Sequence, residues 1–528
     1  MEEKNNNSFF TSWLALIVIV IGTFMAVLDG SIVNVALPKI MNVFGASTDD
    51  AKWIITAYTL AEGAIIPLTG YLEEVVGSKK VYIFALTTFT IGSLLCGLSW
   101  NINSMIAFRT FQAIGGGMII PVGMTIVYSI FPKNKIGLAI GIWGIASMAA
   151  PAVGPTVGGY IVETLDWRII FYLNIPIGII GVFMSTFLLK DSGDRKFKSF
   201  DIIGFLSSTI GIVSLLYVLG EWTSIDWSKM EYPLLLVLGL LSMVLFVVNE
   251  LTHPNPLIDL RILKLRDFSI SLIAVSVLCI ALMGGTYILP LFLENVRGYT
   301  AMETGLIMLP PALVVGILMP ISGTLFDKVG VKPLAIPGIL ILGISSYQLA
   351  AATNMNSSKD YIILISCLRS VGLGLAMMPI NTIGMNALPQ KFVGKGSALS
   401  STIRQIASSI AVTIVSTIMT SKTNYNYLKL SEQISVYNHT AQNTISTLTN
   451  AYIYSGQSKG TASASALSTI SQMLEGQASI DAMGYAMAVT AAMAFAAAVL
   501  ILFFSGKKST SKQHKKGDKN VTKKELAN

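Results

Sequence analysis

The sequence predicts an all-α polytopic membrane protein, and three observations predict it. Only 12% of its 528 residues are charged while 53% are hydrophobic, against about 25% charged in a soluble globular domain. Fourteen stretches are apolar over the ~20 residues that cross ~30 Å of hydrocarbon. Lipid offers no partner to a bare backbone, so each crossing segment has to bond its own amides as a helix. The stretches lie near 13–36, 53–72, 81–100, 104–130, 137–161, 169–189, 202–220, 233–250, 268–293, 303–325, 334–352, 361–386, 397–420 and 483–505. The first is too long for a cleaved signal core and does not follow a basic start, so it is expected to be retained.

The residues that remain exclude several classes. Net charge is +8, but eight lysines between Lys507 and Lys524 stand against only Asp518 and Glu525 in the tail, so the rest of the chain is nearly neutral. That is a solvated end near anionic headgroups, not a nucleic-acid surface. Cys96, Cys279 and Cys367 lie in apolar runs and read as small core residues. His253, His439 and His514 lie in polar segments, away from the apolar runs. Lys395 and Lys507 follow glycines without the upstream glycine of a phosphate loop. No mid-membrane Ser/His/Asp set, Cys/His pair or metal cluster is present in the pattern, so neither an enzyme active site, a metal nor a cofactor is expected.

An even number of spans puts both termini on one side. Assigning lysines and arginines to alternate loops gives 24 on the side of the termini and nine on the other, with Arg109, Arg369 and Arg404 inside spans. The excess of basic loops marks the cytoplasmic side, so both termini are expected there.

An internal repeat divides the chain. Gly70 to Gly77 after span 2 recurs as Gly323 to Gly330 after span 10, Pro38 and Pro290 end spans 1 and 9, and Arg109 and Arg369 open spans 4 and 12. Two six-span halves follow, 13–189 and 268–505, joined by two linking spans within 190–267 and flanked by cytoplasmic ends 1–12 and 506–528. Parallel halves of this kind belong to rocking secondary transporters with a midplane site between them. The polar insertion at about 421–482 is expected outside the membrane. Its apolar residues recur every three or four positions, which predicts a helical hairpin turning near Ser455 to Gly460, either a passive cap or a lid.

Charges at membrane depth are costly and therefore carry the functional candidates. Asp29, late in span 1, is suited to carry a proton or to tie span 1 to a neighbour. Glu62 in span 2 is suited to a proton or a cationic substrate, or else faces water without a role. Arg109 keeps its charge and either holds a carboxylate ionised in one conformation or forms a static pair. In span 5, Pro151, Gly154, Pro155, Gly158 and Gly159 suit a sliding or hinging surface, with plain close packing as the alternative.

These segments resemble the major facilitator superfamily, and within it the fourteen-span drug:proton antiporters of the EmrB/QacA type. The stretch Leu28 to Pro38 resembles that family's span 1 motif, Gly70 to Lys80 its loop motif, Arg109 to Gly117 its span 4 motif and Gly144 to Gly159 its span 5 motif. Asp166 to Arg168 with Phe171, Asn174, Pro176 and Gly178 is similar to the element after span 5. The resemblance implies a gating loop of Gly70, Glu74, Gly77 and Lys79 with Asp327 in the second half. It departs where Glu74 replaces the usual Asp, Val75 an Arg and Ser78 a basic residue, which thins that charge latch. The implied activity is export of amphipathic, often cationic, compounds in exchange for protons across a bacterial cell membrane. Its partners are then protons, small amphipathic molecules and the lipid bilayer, with accessory proteins left open. Export of one lipid, siderophore or metabolite on the same fold is the alternative.

Overall fold

The computed structural model describes residues 2–132, 135–190, 199–435 and 437–504. The basic tail expected over 506–528, and 191–198 of the linking segment, lie outside the described residues. Every regular element among the described residues is helical. One bundle contains α1 (Glu2–Phe44), α2 (Thr48–Ile65), α3 (Leu68–Val76), α4 (Ser78–Gly97), α5 (Ile102–Ile130), α6 (Ile136–Thr164), α7 (Ile169–Tyr172) and α8 (Asn174–Leu188). A pair follows, α9 (Ile202–Glu221) and α10 (Glu231–Thr252). The other bundle contains α11 (Arg266–Met283), α12 (Leu289–Leu291), α13 (Ala301–Val329), α14 (Lys332–Ala352), α15 (Lys359–Asn386), α16 (Val393–Ser431), α17 (His439–Tyr454) and α18 (Lys459–Leu502).

Helix starts follow local chemistry. Asn101 and Ser104 form a reciprocal capping box at α5, and Thr300 with Glu303 forms another at α13. Twelve helical stretches are long and apolar enough to cross a membrane, and α6, bent by 40° between Ile136–Pro151 and Val153–Thr164, makes thirteen. The expected span near 53–72 is the α2–α3 pair, whose ladder is interrupted at Ile66 and Pro67. Proline has no N–H to donate there. The helices thus accommodate the fourteen crossings.

Two proline expectations are corrected. α1 runs through Pro38 to Phe44, because proline near a helix end removes one bond without forcing a stop. It also begins at Glu2, well before residue 13. Pro290 lies in the short α12, between π-helical turns at Gly284–Ile288 and Phe292–Val296 that absorb its missing donor.

α1 packs on α5, α6 and α8, while α11 packs on α15, α16 and α18. The bundles meet along α6 and α13 and again where α16 crosses α3 and α5. A shared apolar cluster closes one end of the seam, with Ile126, Tyr128 and Phe131 of the first bundle against Met385, Leu388 and Val393 of the second. The α9–α10 pair lies outside both bundles, α9 touching α2 and α16. α10 turns Leu234, Leu241 and Val244 outward, as a lipid-facing helix does.

At the opposite end the polar insertion is helical. α16 continues to Ser431, and α17 and α18 form the hairpin, turning at Gly456 in the left-handed region (φ +94°). Tyr427 and Tyr452 bond Ser471 and Thr469 of α18 at 3.0 and 2.7 Å. α18 has 44 residues, about 66 Å at 1.5 Å per residue, so roughly half of it projects beyond a bilayer.

Candidate functional site

Asp29 on α1 is 2% exposed and Arg109 on α5 is 1% exposed, and they form a salt bridge of 2.5 Å. A buried ion pair is favoured where the remaining valences are also met. Those of the carboxylate are: Asp29 Oδ1 accepts from Asn174 Nδ2 of α8 at 2.8 Å and from Gln112 Nε2 of α5 at 3.1 Å, whereas Arg109 Nε is buried without a hydrogen-bond partner among the described residues. Gln112 Oε1 in turn accepts from Arg109 Nη1 at 2.7 Å, and Ser93 Oγ of α4 accepts from Gln112 and Asn174. The ring of Tyr58 on α2 lies 4.1 Å from the guanidinium carbon, a favourable cation–π distance. Five helices therefore converge on one carboxylate.

Sequence reasoning found Asp29 and Arg109 but not Gln112, Ser93 or Tyr58, and it reached Asn174 only through the resemblance. Gln112 carried a usable signal: it is a polar residue in an apolar run, three positions after Arg109 and so on the same helix face. Glu62 is not brought into the cluster. It is half-buried on α2, backed by α5 at Gly117, and its side chain makes no hydrogen bond or salt bridge among the described residues.

The repeat is imperfect at this point. The offset relating Pro38 to Pro290 sets Ala281 opposite Asp29, and Arg369 has no carboxylate to meet. Its guanidinium instead donates to the carbonyls of Ala281 and Leu282 at 2.8 and 3.0 Å and to Ser346 Oγ at 3.2 Å. Those carbonyls lie one turn before the π-turn at Gly284–Ile288, where the ordinary i+4 ladder lapses. Gly285 leaves room for the guanidinium, since a Cβ would lie 2.1 Å from Arg369 Nη1.

The bend of α6 has a similar cause. Pro155 offers no N–H to the carbonyl of Pro151, and Ser31 Oγ of α1 supplies the donor at 3.1 Å. A Cβ on Gly154 would meet Ser31 Oγ at 2.3 Å, one on Gly158 would meet Ile32 O at 3.4 Å, and one on Gly159 would meet Met302 N at 3.4 Å. The small residues thus let α6 lie against α1 on one side and α13 on the other.

The closed end gathers the loop residues. Gly70 brings α3 against α16, since its Cβ would lie 3.2 Å from Lys395 Cα. Lys395 Nζ stands 3.8 Å from Glu74 Oε2 and donates to Pro256 O at 2.8 Å. Gly77, with φ +96°, makes the turn from α3 into α4 that a side chain would strain. Lys79 turns away to the carbonyl of Thr186 at 2.6 Å, within its own bundle. Asp327 of α13 lies beside the first turn of α6, with Oδ2 2.8 Å from a Cβ on Gly137, where a helix N-terminus favours a carboxylate. Glu73, which the sequence reading did not single out, is buried and accepts from Ser78 and Thr125 at 3.0 and 3.3 Å. Across the seam, Ser397 Oγ donates to Pro121 O at 2.8 Å. Lys395→Met is expected to raise maleimide labelling of a cysteine placed at Ser401, in a background lacking the native cysteines, by about fivefold. That is the shift produced by losing ~1 kcal/mol of closure contact; unchanged labelling would show that Lys395 does not hold this end.

Two helical bundles meeting along a seam, closed at one end and holding a buried charge cluster beside it, define a polytopic membrane transporter. The chain belongs to the Major Facilitator Superfamily, whose family profile matches residues 19–412. It is 38% identical over 437 residues to the uncharacterized MFS-type transporter YhcA of Bacillus subtilis, covering 82% of each chain. It is 32% identical to the multidrug export protein EmrB of Escherichia coli K12, covering 80% of this chain and 83% of that one. With the lincomycin resistance protein LmrB of Listeria monocytogenes it shares 30% identity, over 75% of this chain and 84% of that one. Among solved structures it is similar in fold to the proton:xylose symporter XylE bound to 6-bromo-6-deoxy-D-glucose, with a TM-score of 0.59 and 13% identity over 95% of this chain and 98% of that one. The family makes the chain a multi-pass membrane transporter and not an enzyme.

Proposed function

We propose that this protein is a multidrug efflux transporter of a bacterial cell membrane, exporting amphipathic, often cationic, compounds in exchange for protons. Relatives named for multidrug export and lincomycin resistance support drug export. Proton exchange rests on one observation, the buried carboxylate of Asp29 held by Arg109, Gln112 and Asn174. Protonation cancels the charge that Arg109 grips and so changes the balance of a contact between α1 and α5. Both termini lie in the cytoplasm in this reading, supported by the basic loops on their side. The closed end then faces the cytoplasm and the hairpin faces outward. An outward-facing carrier admits a proton to Asp29; rocking about the bent α6 exposes the seam inward, where the proton leaves and substrate enters. Arg109 sets the state in which Asp29 holds its charge, while the Glu74, Lys395 and Asp327 contacts close the inner end.

Ethidium extrusion from proteoliposomes under an imposed pH gradient tests the proposal. Extrusion is expected to need the gradient, to stop when an ionophore collapses it, and to be lost in Asp29→Asn. Extrusion indifferent to both the gradient and Asp29→Asn would refute proton exchange.

A further inference from the structure

Beside the Asp29 cluster lie two charges of opposite sign that the proton cycle does not use. Glu62 stands on α2 and Arg404 on α16, in opposite bundles, both half-buried. Their level can be fixed from the backbone. α3 touches α16 at Gly70 and Lys395; Glu62 precedes the first and Arg404 follows the second by a similar number of residues, about 12 to 14 Å at 1.5 Å per residue. The helices run in opposite senses, so the two side chains come to one depth above the closed end. α9 spans the seam behind them, packing Ile212 and Leu216 on Gly63 and accepting at Leu219 O from Thr413 Oγ1 of α16 at 2.8 Å. Arg404 lies two turns after Ser397, whose Oγ donates to Pro121 O of α5 across the seam at 2.8 Å, so this face of α16 is turned toward the first bundle, with α11 flanking it where Ser408 meets Cys279 at 3.7 Å.

Glu62 and Arg404 thus stand at one level on either side of the seam. They nonetheless form no salt bridge, and neither side chain makes a hydrogen bond among the described residues. Asp29, by contrast, is met by three donors. The charges left to a ligand are therefore one carboxylate and one guanidinium at one level on opposite sides of the seam. An isolated charge at this depth is unfavourable without a partner, and a single molecule carrying an ammonium and an acid group supplies a partner to each.

We infer that Glu62 and Arg404 form a two-point site for zwitterionic amphiphiles, Glu62 taking the ammonium and Arg404 the carboxylate, the latter with two parallel N–H donors. This refines the cargo of the proposed exporter and rests on that reading. A purely cationic compound meets the same site with repulsion from Arg404, so removing the guanidinium relaxes the preference instead of weakening all binding.

Equilibrium dialysis of the detergent-solubilised full chain, with no gradient, separates this from proton coupling. The probes are ciprofloxacin, which carries an amine and a carboxylate, and its methyl ester, which keeps the amine alone. Wild type is expected to bind the zwitterion about tenfold more tightly than the ester, a modest value for close charge pairs at an interface. Arg404→Gln is expected to erase that ratio while the ester binds at least as well. The exchange Glu62→Arg with Arg404→Glu is expected to restore much of the ratio, which controls for misfolding. Equal binding of the two probes by wild type, or a ratio unchanged in Arg404→Gln, would overturn the site. A spontaneous disulfide between cysteines placed at 62 and 404, joined with equal binding of the probes, would show a latch between the bundles instead. Loss of gradient-driven extrusion with the ratio intact would count against proton exchange alone.

Discussion

Arg109→Met is expected to destabilise the folded protein by about 3–5 kcal/mol, the cost of leaving one member of a buried pair without its partner. Methionine keeps much of the length and apolar bulk, so the loss is mainly electrostatic. The guanidinium is 1% exposed, stacks against Tyr58 and supports Gln112 as well as Asp29, so its burial leaves little access for solvent to replace it. Adding Asp29→Asn is expected to recover much of the stability, because the neutral amide no longer needs a cation. The double variant stays inactive, since it has no proton to exchange. Unfolding in detergent with increasing denaturant measures the first part, and the extrusion assay the second. Equal stability of the single and double variants would show that the pair contributes packing and not charge.

Gly323→Val is expected to lower extrusion to about a tenth of wild type or less. A Cβ at 323 would lie 2.1 Å from Gly137 O, and one at 137 would lie 2.3 Å from Gly323 O. These are main-chain atoms on both sides of the seam, so no flexible side chain can yield. α6 and α13 must separate, and overpacking of this kind costs about 1–3 kcal/mol or more. The cost falls only on the state in which this end is closed, so the variant accumulates with that end open. Raised maleimide labelling at Ser401 together with lost transport is the expected pattern. Gly220→Ala serves as the control, since nothing lies within 4 Å of a Cβ there, and it is expected to behave as wild type.

The helical class and the two-bundle plan were legible because they depend on hydropathy, which is written residue by residue. Asp29 and Arg109 were legible for a related reason: a charge in an apolar run is visible without knowing its neighbours. What surrounds them was not. Asn174 is 145 positions from Asp29, and its approach depends on how α8 packs on α1. Arg369 shows the same limit, since its place in the repeat matches Arg109 while its partners are Ser346 and two main-chain carbonyls next to a π-turn. Pro38 shows the converse limit, because a residue that weakens a helix does not end one whose other contacts persist. Glu62 was visible as a charge in an apolar run, but Arg404, with which the proposed site pairs it, belongs to the other bundle, and no local pattern links the two.

Ala281 stands where the repeat sets it opposite Asp29, and this asymmetry bears on energetics. If the proposed exchange passes one proton at this position, a monovalent cation leaves as one positive charge enters. The exchange is then electroneutral, the membrane potential does no net work, and the pH difference alone limits accumulation to about tenfold per unit. A zwitterion leaves without net charge, so the same proton carries current inward. A potential of 100 mV then contributes about 2.3 kcal/mol, a further factor of roughly 50. One carrier would thus respond to voltage for one class of cargo and be blind to it for another.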